Sequence, residues 1–218
     1  MKRILYIGRV LRQTFLATAK VAVCGIVLSA LFGALPAFAA PATKTYRIDT
    51  AHTRVVFSVN HLGLSKFPGI FNGVSGNIEF NFSDPQSSVV DVSIDATKLS
   101  MGQAALDAKL QGKDYFNTAK FPVITFKSTS IRKDSISHGR ITGDLTLLGV
   151  TKKVTLDVTF NGRKWNRFAN AEFAGFSAKT KIRRSDFGLK TLLPDIGDEV
   201  DIVIEVEARE ARPAMFTQ

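Results

Sequence analysis

The strongest constraint on the fold of this chain is an alternation of apolar and polar side chains with a period of two residues, which begins near residue 46. The segment His52–His61 places Val55, Phe57 and Val59 on one face and polar residues on the other. Similar runs contain Ile78, Phe80 and Phe82; Val90, Val92 and Ile94; Ile124 and Phe126; Val154, Leu156, Val158 and Phe160; and Val200, Ile202, Ile204 and Val206. Because successive side chains of a strand point to opposite faces, this pattern predicts antiparallel strands with one buried face.

Short turn signals separate the alternating runs. They are Leu62-Gly63, Pro68-Gly69, Asn72-Gly73, Ser83-Asp84-Pro85, His138-Gly139, Leu148-Gly149, Asn161-Gly162 and Ile196-Gly197. One segment, Gly102–Gly112, lacks the alternation and places Leu106 and Leu110 on one helical face, so it predicts a single short helix. Many short strands with regular turns indicate a sandwich or a barrel, and the alternation does not distinguish them. Most of the 17 phenylalanines lie beyond residue 40, where they can fill a sandwich core or line a barrel cavity.

Residues 1–40 have the organisation of a secretory signal peptide. Five basic residues and no acidic one lie in residues 1–20, before an uncharged apolar run at residues 21–35. Pro36 and the small-residue site Ala37-Phe38-Ala39 follow this run. We therefore predict a cleavable leader at residues 1–39 and one domain at residues 40–218, with Ala40 or Pro41 as the first mature residue. An uncleaved membrane anchor is the alternative, since the apolar stretch is nearly long enough to span a bilayer.

The mature chain offers few groups for catalysis or metal binding. Cys24, the single cysteine, lies in the leader, which excludes an intrachain disulfide and a cysteine-rich zinc site. His52 and His61 point to opposite faces of one continuous strand, so they cannot share a metal without a bulge. His138 falls in a predicted loop. No nucleophile paired with a base is visible, so we predict no metal site, no cofactor and no enzymatic activity.

The charge of the chain also limits its partners. Half of the formal net charge of +10 belongs to residues 1–40, so the mature chain lacks the strong basic excess that is typical of nucleic-acid binding. A local basic cluster remains at Arg183-Arg184, with Lys179, Lys181 and Lys190 nearby. It is consistent with a solvated strand face or with contact to a membrane surface.

Ordered sequence blocks cover nearly all of residues 45–207. They are Tyr46-Arg47-Ile48-Asp49; His52-x-x-Val55-x-Phe57-x-Val59-x-His61-Leu62-Gly63; Gly69-x-Phe71 and Gly76; Asp107-x-x-Leu110; Tyr115-Phe116; Phe121-Pro122-x-Ile124-x-Phe126-x-Ser128; Gly143-x-Leu145-Thr146-x-x-Gly149-Val150-Thr151; and Arg184-Ser185-Asp186-Phe187-Gly188. In content and order these blocks resemble those of the YceI-like family of exported proteins. The resemblance implies an all-β fold, an antiparallel lipocalin-like β-barrel of about eight strands with one short inserted helix. It also implies a periplasmic protein whose apolar lumen holds a polyisoprenoid or another long-chain amphiphile, without a catalytic step.

Combined with the alternation, this resemblance gives an expected binding site. We expect the lumen to be lined by Val55, Phe57, Val59, Phe80, Ile124, Phe126, Leu145 and Phe173. We expect His61, Lys109 and Arg184 at the mouth, where they would meet a headgroup. Lys109 is a departure, because the block Leu106-Asp107-Ala108-Lys109-Leu110 stands where the family usually has Arg-Asp-x-His-Leu.

The expected function is therefore that of a carrier that sequesters a lipid without covalent chemistry. An alternative is a non-enzymatic envelope interaction protein with a filled barrel, for example a partner of a membrane redox protein. A third interpretation, an enzyme acting on a lipid-like substrate, has no visible nucleophile and base to support it. The expected partners are a hydrophobic lipid-like ligand, transient contact with a membrane surface or membrane protein, and a second copy of the chain in a homodimer, but not nucleic acid.

Overall fold

The computed structural model describes residues 43–211, and the predicted leader lies outside these residues. Within them the chain forms nine strands and one α-helix. In chain order these are β1 Lys44–Ile48, β2 Arg54–His61, β3 Ser65–Phe80, β4 Val89–Ser100, α1 Ala104–Gln111, β5 Val123–Lys133, β6 His138–Leu147, β7 Val150–Asn166, β8 Ala171–Arg183 and β9 Ile196–Glu210. The predicted all-β fold with one short inserted helix is confirmed.

The strands close into a ring of eight positions. Neighbours follow one another from β2 through β9, β8, β7, β6, β5 and β4 to β3, which pairs with β2 again. Strand β1 pairs with β3 and β9, the same neighbours that β2 has, so β1 and β2 together occupy one position. Closure removes the free sheet edges that a sandwich would keep, and the structure is therefore a barrel.

The antiparallel order places the connections at two opposite ends of the barrel. The first end, here called the helix end, carries the β2–β3 turn, α1, the β6–β7 turn and the loop between β8 and β9. The second end, here called the hairpin end, carries the β3–β4, β5–β6 and β7–β8 connections. Both ends matter for the site, because the space inside the barrel reaches toward each of them.

Some of the predicted turns are turns in the structure, whereas others are glycine-containing positions inside strands. Leu62-Gly63 and Leu148-Gly149 are tight hairpin turns in which both residues have positive φ, a geometry that matches strand twist. Pro68-Gly69 and Asn72-Gly73 were wrongly predicted as turns, because β3 runs through both. The glycine at 69 serves close packing instead, since a Cβ there would collide with the ring of Phe57.

Three further predicted turns lie within strands. Asn161-Gly162 falls inside β7 at a shift in its register with β8, while His138-Gly139 and Ile196-Gly197 begin β6 and β9. In each case the glycine marks an irregularity or a strand end rather than a reversal of the chain.

Helix α1 lies within the segment predicted to be helical and covers the helix end of the barrel. Leu106 and Leu110 face the interior, and Leu110 packs against the main core cluster. The Asp107 carboxylate accepts a hydrogen bond from the backbone N–H of Met101 at 2.5 Å, which ties the helix to the end of β4. Within residues 43–211, no helix has the length and apolar character needed to cross a membrane.

Candidate functional site

The barrel contains an elongated cavity of about 700 Å³ that reaches from the helix end toward the hairpin end. Its walls are the inward-facing, mostly apolar side chains of β2 to β9, and Leu106 and Leu110 of α1 contribute from one end. This volume lies within the range of about 300–1,000 Å³ that is typical of small-molecule sites. The geometry is therefore that of a binding lumen rather than of a fully packed core.

Seven of the eight residues predicted to line the lumen do border this cavity. They are Val55, Phe57, Val59, Phe80, Ile124, Phe126 and Leu145. These predictions rested on strict alternation. Each residue lies in a strand segment whose apolar positions alternate with polar ones, so the sequence shows which side chains point inward. The structure thus brings residues from four different strands, β2, β3, β5 and β6, to one interior surface.

Phe173 was wrongly predicted to line the lumen. The inward residues of β8 that border the cavity are Phe176, Ala178, Thr180 and Ile182, all at even positions. Strand β8 keeps an unbroken register with β9 from Phe173 to Arg183, so Phe173, at an odd position, points to the outer surface. It is half-buried there, with Lys164 and Arg209 opposite it on the two neighbouring strands.

Aromatic rings form two groups along the lumen. Near the helix end, Phe71 lies with its ring centroid 5.4 Å from the rings of both Phe57 and Phe116. Toward the hairpin end, Phe80 is surrounded by Phe82, Phe160 and Phe176, with centroid distances between 4.5 and 5.6 Å. Phenylalanine rings offer a large apolar surface and no polar group that needs a partner, so these walls suit a hydrocarbon chain.

Polar groups border the lumen at the helix end. His61 and Lys109, both predicted at the mouth, line the cavity together with Tyr115, for which the sequence predicted no role. The ammonium of Lys109 lies 5.9 Å from the centroid of the Tyr115 ring, and the His61 ring lies 5.8 Å from that of Phe67. These side chains can supply hydrogen bonds to the polar end of a bound molecule.

Arg184, the third residue predicted at the mouth, also lines the cavity but is used structurally. It is only 6% exposed, and its guanidinium donates four hydrogen bonds of 2.7–3.0 Å to backbone carbonyls. The acceptors are Leu189, Thr191, Ile196 and Gly197, all in or next to the β8–β9 loop. Burial lowers the pKa of this guanidinium, and the nearby Asp198 charge opposes that effect. Most of its donors are therefore occupied by the loop.

A polar cluster lies at the hairpin end of the barrel, next to the second aromatic group. The fully buried Tyr46 hydroxyl donates a 2.5 Å hydrogen bond to Glu172, and Lys44 lies 3.1 Å from the same carboxylate. Burial and the bond to Glu172 raise the pKa of Tyr46. Arg163 completes the cluster, 3.5 Å from Glu172 and 4.4 Å above the Phe82 ring. These paired charges therefore adjoin the phenylalanine group at this end of the barrel.

The β5–β6 hairpin adds a second polar border that sequence reasoning missed. Arg132 and Arg140 face each other across the hairpin, line the cavity and share Asp134 at 2.8 and 3.2 Å. His138, predicted as a loop residue, begins β6 and lines the same end of the cavity. The hydroxyl of Ser137 lies 3.0 Å from its Nδ1. The register of the hairpin brings the two arginines together, and this register cannot be read from the sequence alone.

One group of potential metal ligands lies apart from the lumen. The ligand atoms of Asp49, His52 and Glu207 lie within 4.8 Å of one another, a grouping that the sequence analysis did not predict. His52 Nδ1 and the Asp49 carboxylate are 2.9 Å apart, an ion pair when the imidazole is protonated. The hydrogen bond to Asp49 and the negative charges of Asp49 and Glu207 raise the pKa of His52. The cluster is therefore explained by an ion pair between Asp49 and His52 that stabilises the β1–β2 turn.

Comparison with known proteins agrees with this architecture. A family model described as the YceI-like domain matches residues 46–208. Protein YceI of Escherichia coli O157:H7 is 41% identical over 164 residues, which cover 74% of this chain and 85% of that protein.

Two solved structures show the same fold. The YCEI protein of Campylobacter jejuni has a TM-score of 0.64 and 32% identity, covering 70% of this chain and 90% of that one. A structure described as a polyisoprenoid binding domain from Saccharophagus degradans, implicated in plant cell wall breakdown, has a TM-score of 0.53. It covers 76% of this chain and 98% of its own, and at 16% identity the likeness extends to the fold alone.

Proposed function

This chain belongs to the YceI-like domain family, and from that premise we propose that it is an exported, periplasmic carrier that holds a polyisoprenoid or similar long-chain amphiphile in its lumen. The observation that carries the proposal is the continuous apolar cavity of about 700 Å³ inside the barrel. The described binding role of the Saccharophagus degradans domain is consistent with it.

Hydrophobic burial is sufficient to hold such a ligand. A hydrocarbon chain gains about 25 cal/mol for each Å² removed from water, so burying about 400 Å² contributes roughly 10 kcal/mol before the cost of ordering the chain. The phenylalanine groups around Phe71 and Phe80 supply this surface. Binding of this kind needs no covalent step, in keeping with a carrier rather than an enzyme.

The polar end of the ligand belongs at the helix end of the barrel. His61, Lys109 and Tyr115 border the lumen there and present donors and acceptors to a headgroup. Arg184 supports this region indirectly, because its guanidinium holds the β8–β9 loop beside them. Lys109 favours an anionic or hydrogen-bond-accepting headgroup.

The cavity weighs against the alternative of a barrel filled by its own side chains. Space of about 700 Å³ remains among the inward residues, whereas a packed interior leaves few voids larger than a water molecule. An envelope partner for the outer surface stays a prediction.

Native mass spectrometry tests the carrier proposal. The full chain is expressed in a bacterial host, purified from the periplasm without detergent, weighed intact and then extracted with organic solvent. We expect a stoichiometric long-chain lipid in the extract, and a mature N-terminus at Ala40 or Pro41. Protein that carries no lipid and takes up no added isoprenoid would contradict the proposal.

Two adjacent residues of β9 provide matched variants. Ile202 lines the lumen, whereas Val203 is 40% exposed on the outer face. We expect Ile202→Asp to lose the lipid and Val203→Asp to keep it. Ala178→Phe is a second lumen variant without a buried charge, and it should reduce lipid content by occupying space. Equal lipid content in all three folded variants would exclude the lumen as the binding site.

A further inference from the structure

The β7–β8 hairpin exposes aromatic residues among basic ones. Trp165 is 58% and Phe168 is 87% exposed, and the tip reads Arg163-Lys164-Trp165-Asn166-Arg167-Phe168 with no acidic residue. The Asn166 side chain accepts hydrogen bonds from the N–H groups of Phe168 and Ala169 at 2.9 and 3.1 Å, so the turn has a defined geometry. Large exposed apolar side chains held in place on a hairpin are typical of an interaction surface.

The strand registers extend this surface beyond the tip. Arg47 of β1 pairs with Arg209 of β9, Arg209 pairs with Phe173 of β8, and Phe173 pairs with Lys164 of β7. These four residues form one row across four neighbouring strands on the outer face, and the three cations of the row are exposed. The position of Phe173 outside the lumen thus places an aromatic ring between two cations.

The charges of this row are available to a partner. None of Arg47, Lys164, Arg167 and Arg209 forms an ion pair within the described residues 43–211. Glu172 pairs with Lys44 and Arg163, and Glu210 pairs with Lys44. Arg209 donates a 2.9 Å hydrogen bond to the Ala169 carbonyl, which fixes the hairpin against the row. The resulting surface, here called the basic aromatic face, combines the outward row of Arg47, Lys164, Phe173 and Arg209 with the exposed hairpin residues Trp165, Arg167 and Phe168.

We propose that the basic aromatic face docks the protein on an anionic lipid membrane. Tryptophan and phenylalanine partition into the region between headgroups and acyl chains, while arginine and lysine are attracted by negative lipid headgroups. The face combines both features at one end of the barrel, and none of its four cations takes part in an ion pair within residues 43–211. The proposal goes beyond ligand binding and requires nothing in the lumen, so it stands or falls independently of the carrier function.

Vesicle sedimentation tests the proposal with protein purified after expression of the full chain. Vesicles of phosphatidylglycerol and phosphatidylcholine are compared with vesicles of phosphatidylcholine alone. We expect binding to the anionic vesicles that weakens with added salt and is at least about tenfold weaker without the anionic lipid. No binding to anionic vesicles at low salt would overturn the proposal.

Variants assign the binding to this face. Each cation near an anionic surface contributes about fivefold in affinity, so Lys164→Glu with Arg167→Glu should weaken binding by at least about tenfold. Trp165→Ser with Phe168→Ser should weaken it by about the same factor. All four positions are exposed, so the fold should be unaffected, and thermal unfolding checks this.

The helix end supplies the matched control. Leu64 and Leu192 are 83% and 52% exposed near the opposite opening of the barrel. Leu64→Ser with Leu192→Ser should leave vesicle binding unchanged. If this control pair loses binding while the hairpin variants keep it, docking belongs to the helix end and the proposal is wrong.

Discussion

The buried guanidinium of Arg184 holds the β8–β9 loop by donating four hydrogen bonds to backbone carbonyls in or next to that loop. We expect Arg184→Ala to lower the free energy of unfolding by about 3 kcal/mol, because buried carbonyls lose charged donors. Arg184→Lys should recover only part, since an ammonium cannot reproduce the guanidinium fork. Urea unfolding measures both, with the exposed Arg183→Ala as a control that should stay near wild type.

His52 gives the stability of the barrel a dependence on pH. Its pKa is raised above 6.5 in the folded protein by Asp49 and Glu207, so folding favours the protonated form. The stabilisation is therefore fully present below about pH 6.5 and is lost as the pH rises through the folded-state pKa. The effect is small, because the imidazole is largely exposed.

Thermal unfolding across this pH range tests the role of His52. The difference in Tm between wild type and His52→Gln should shrink as the pH rises, and Asp49→Asn should lower the His52 pKa in an NMR titration. A constant difference in Tm at every pH would show that the ion pair does not contribute.

At the scale of strands, two glycines with different neighbours should respond differently to a methyl group. A Cβ on Gly143 of β6 would collide with the Phe126 ring and lie 2.5 Å from the Lys127 carbonyl oxygen. Gly143→Ala should therefore destabilise the barrel by about 1–3 kcal/mol. A Cβ on Gly175 of β8 would have its nearest neighbour at 3.6 Å, so Gly175→Ala should be neutral or slightly stabilising. Chemical denaturation measures the free energy of unfolding of both variants, and a similar loss of stability in the two would contradict the packing explanation.

The same glycines explain which elements could be predicted from the sequence. Regular alternation located the strands and most of the lumen wall, because side-chain parity follows from the sequence alone. Glycine has two uses, however, and the sequence does not separate a turn at Gly63 from close packing under an aromatic ring at Gly69. The prediction for Phe173 was wrong for a related reason, because the face on which its side chain lies depends on the register of β8 with its neighbours.

At the scale of the whole molecule, closure of the barrel could not be derived from alternation. Closure depends on pairing between distant segments, such as β3 with β4 and β2 with β9, and a sandwich satisfies the same periodicity. The resemblance to a family supplied that step. The polar border formed by Arg132 and Arg140 and the outer row through Phe173 were missed because each exists only across strands.

A ligand held in the lumen should stabilise the whole barrel, because its contacts come from strands on every side of the cavity. A molecule that binds only the folded state raises the free energy of unfolding by about 2.7 kcal/mol at one hundred times its dissociation constant. We expect delipidated protein to show a rise in Tm on addition of a long-chain isoprenoid. Val203→Asp should show the same rise, and Ile202→Asp should show little, since the added carboxylate occupies the lumen wall. A rise in Tm that is equal in both variants would mean that the isoprenoid stabilises the protein from its outer surface.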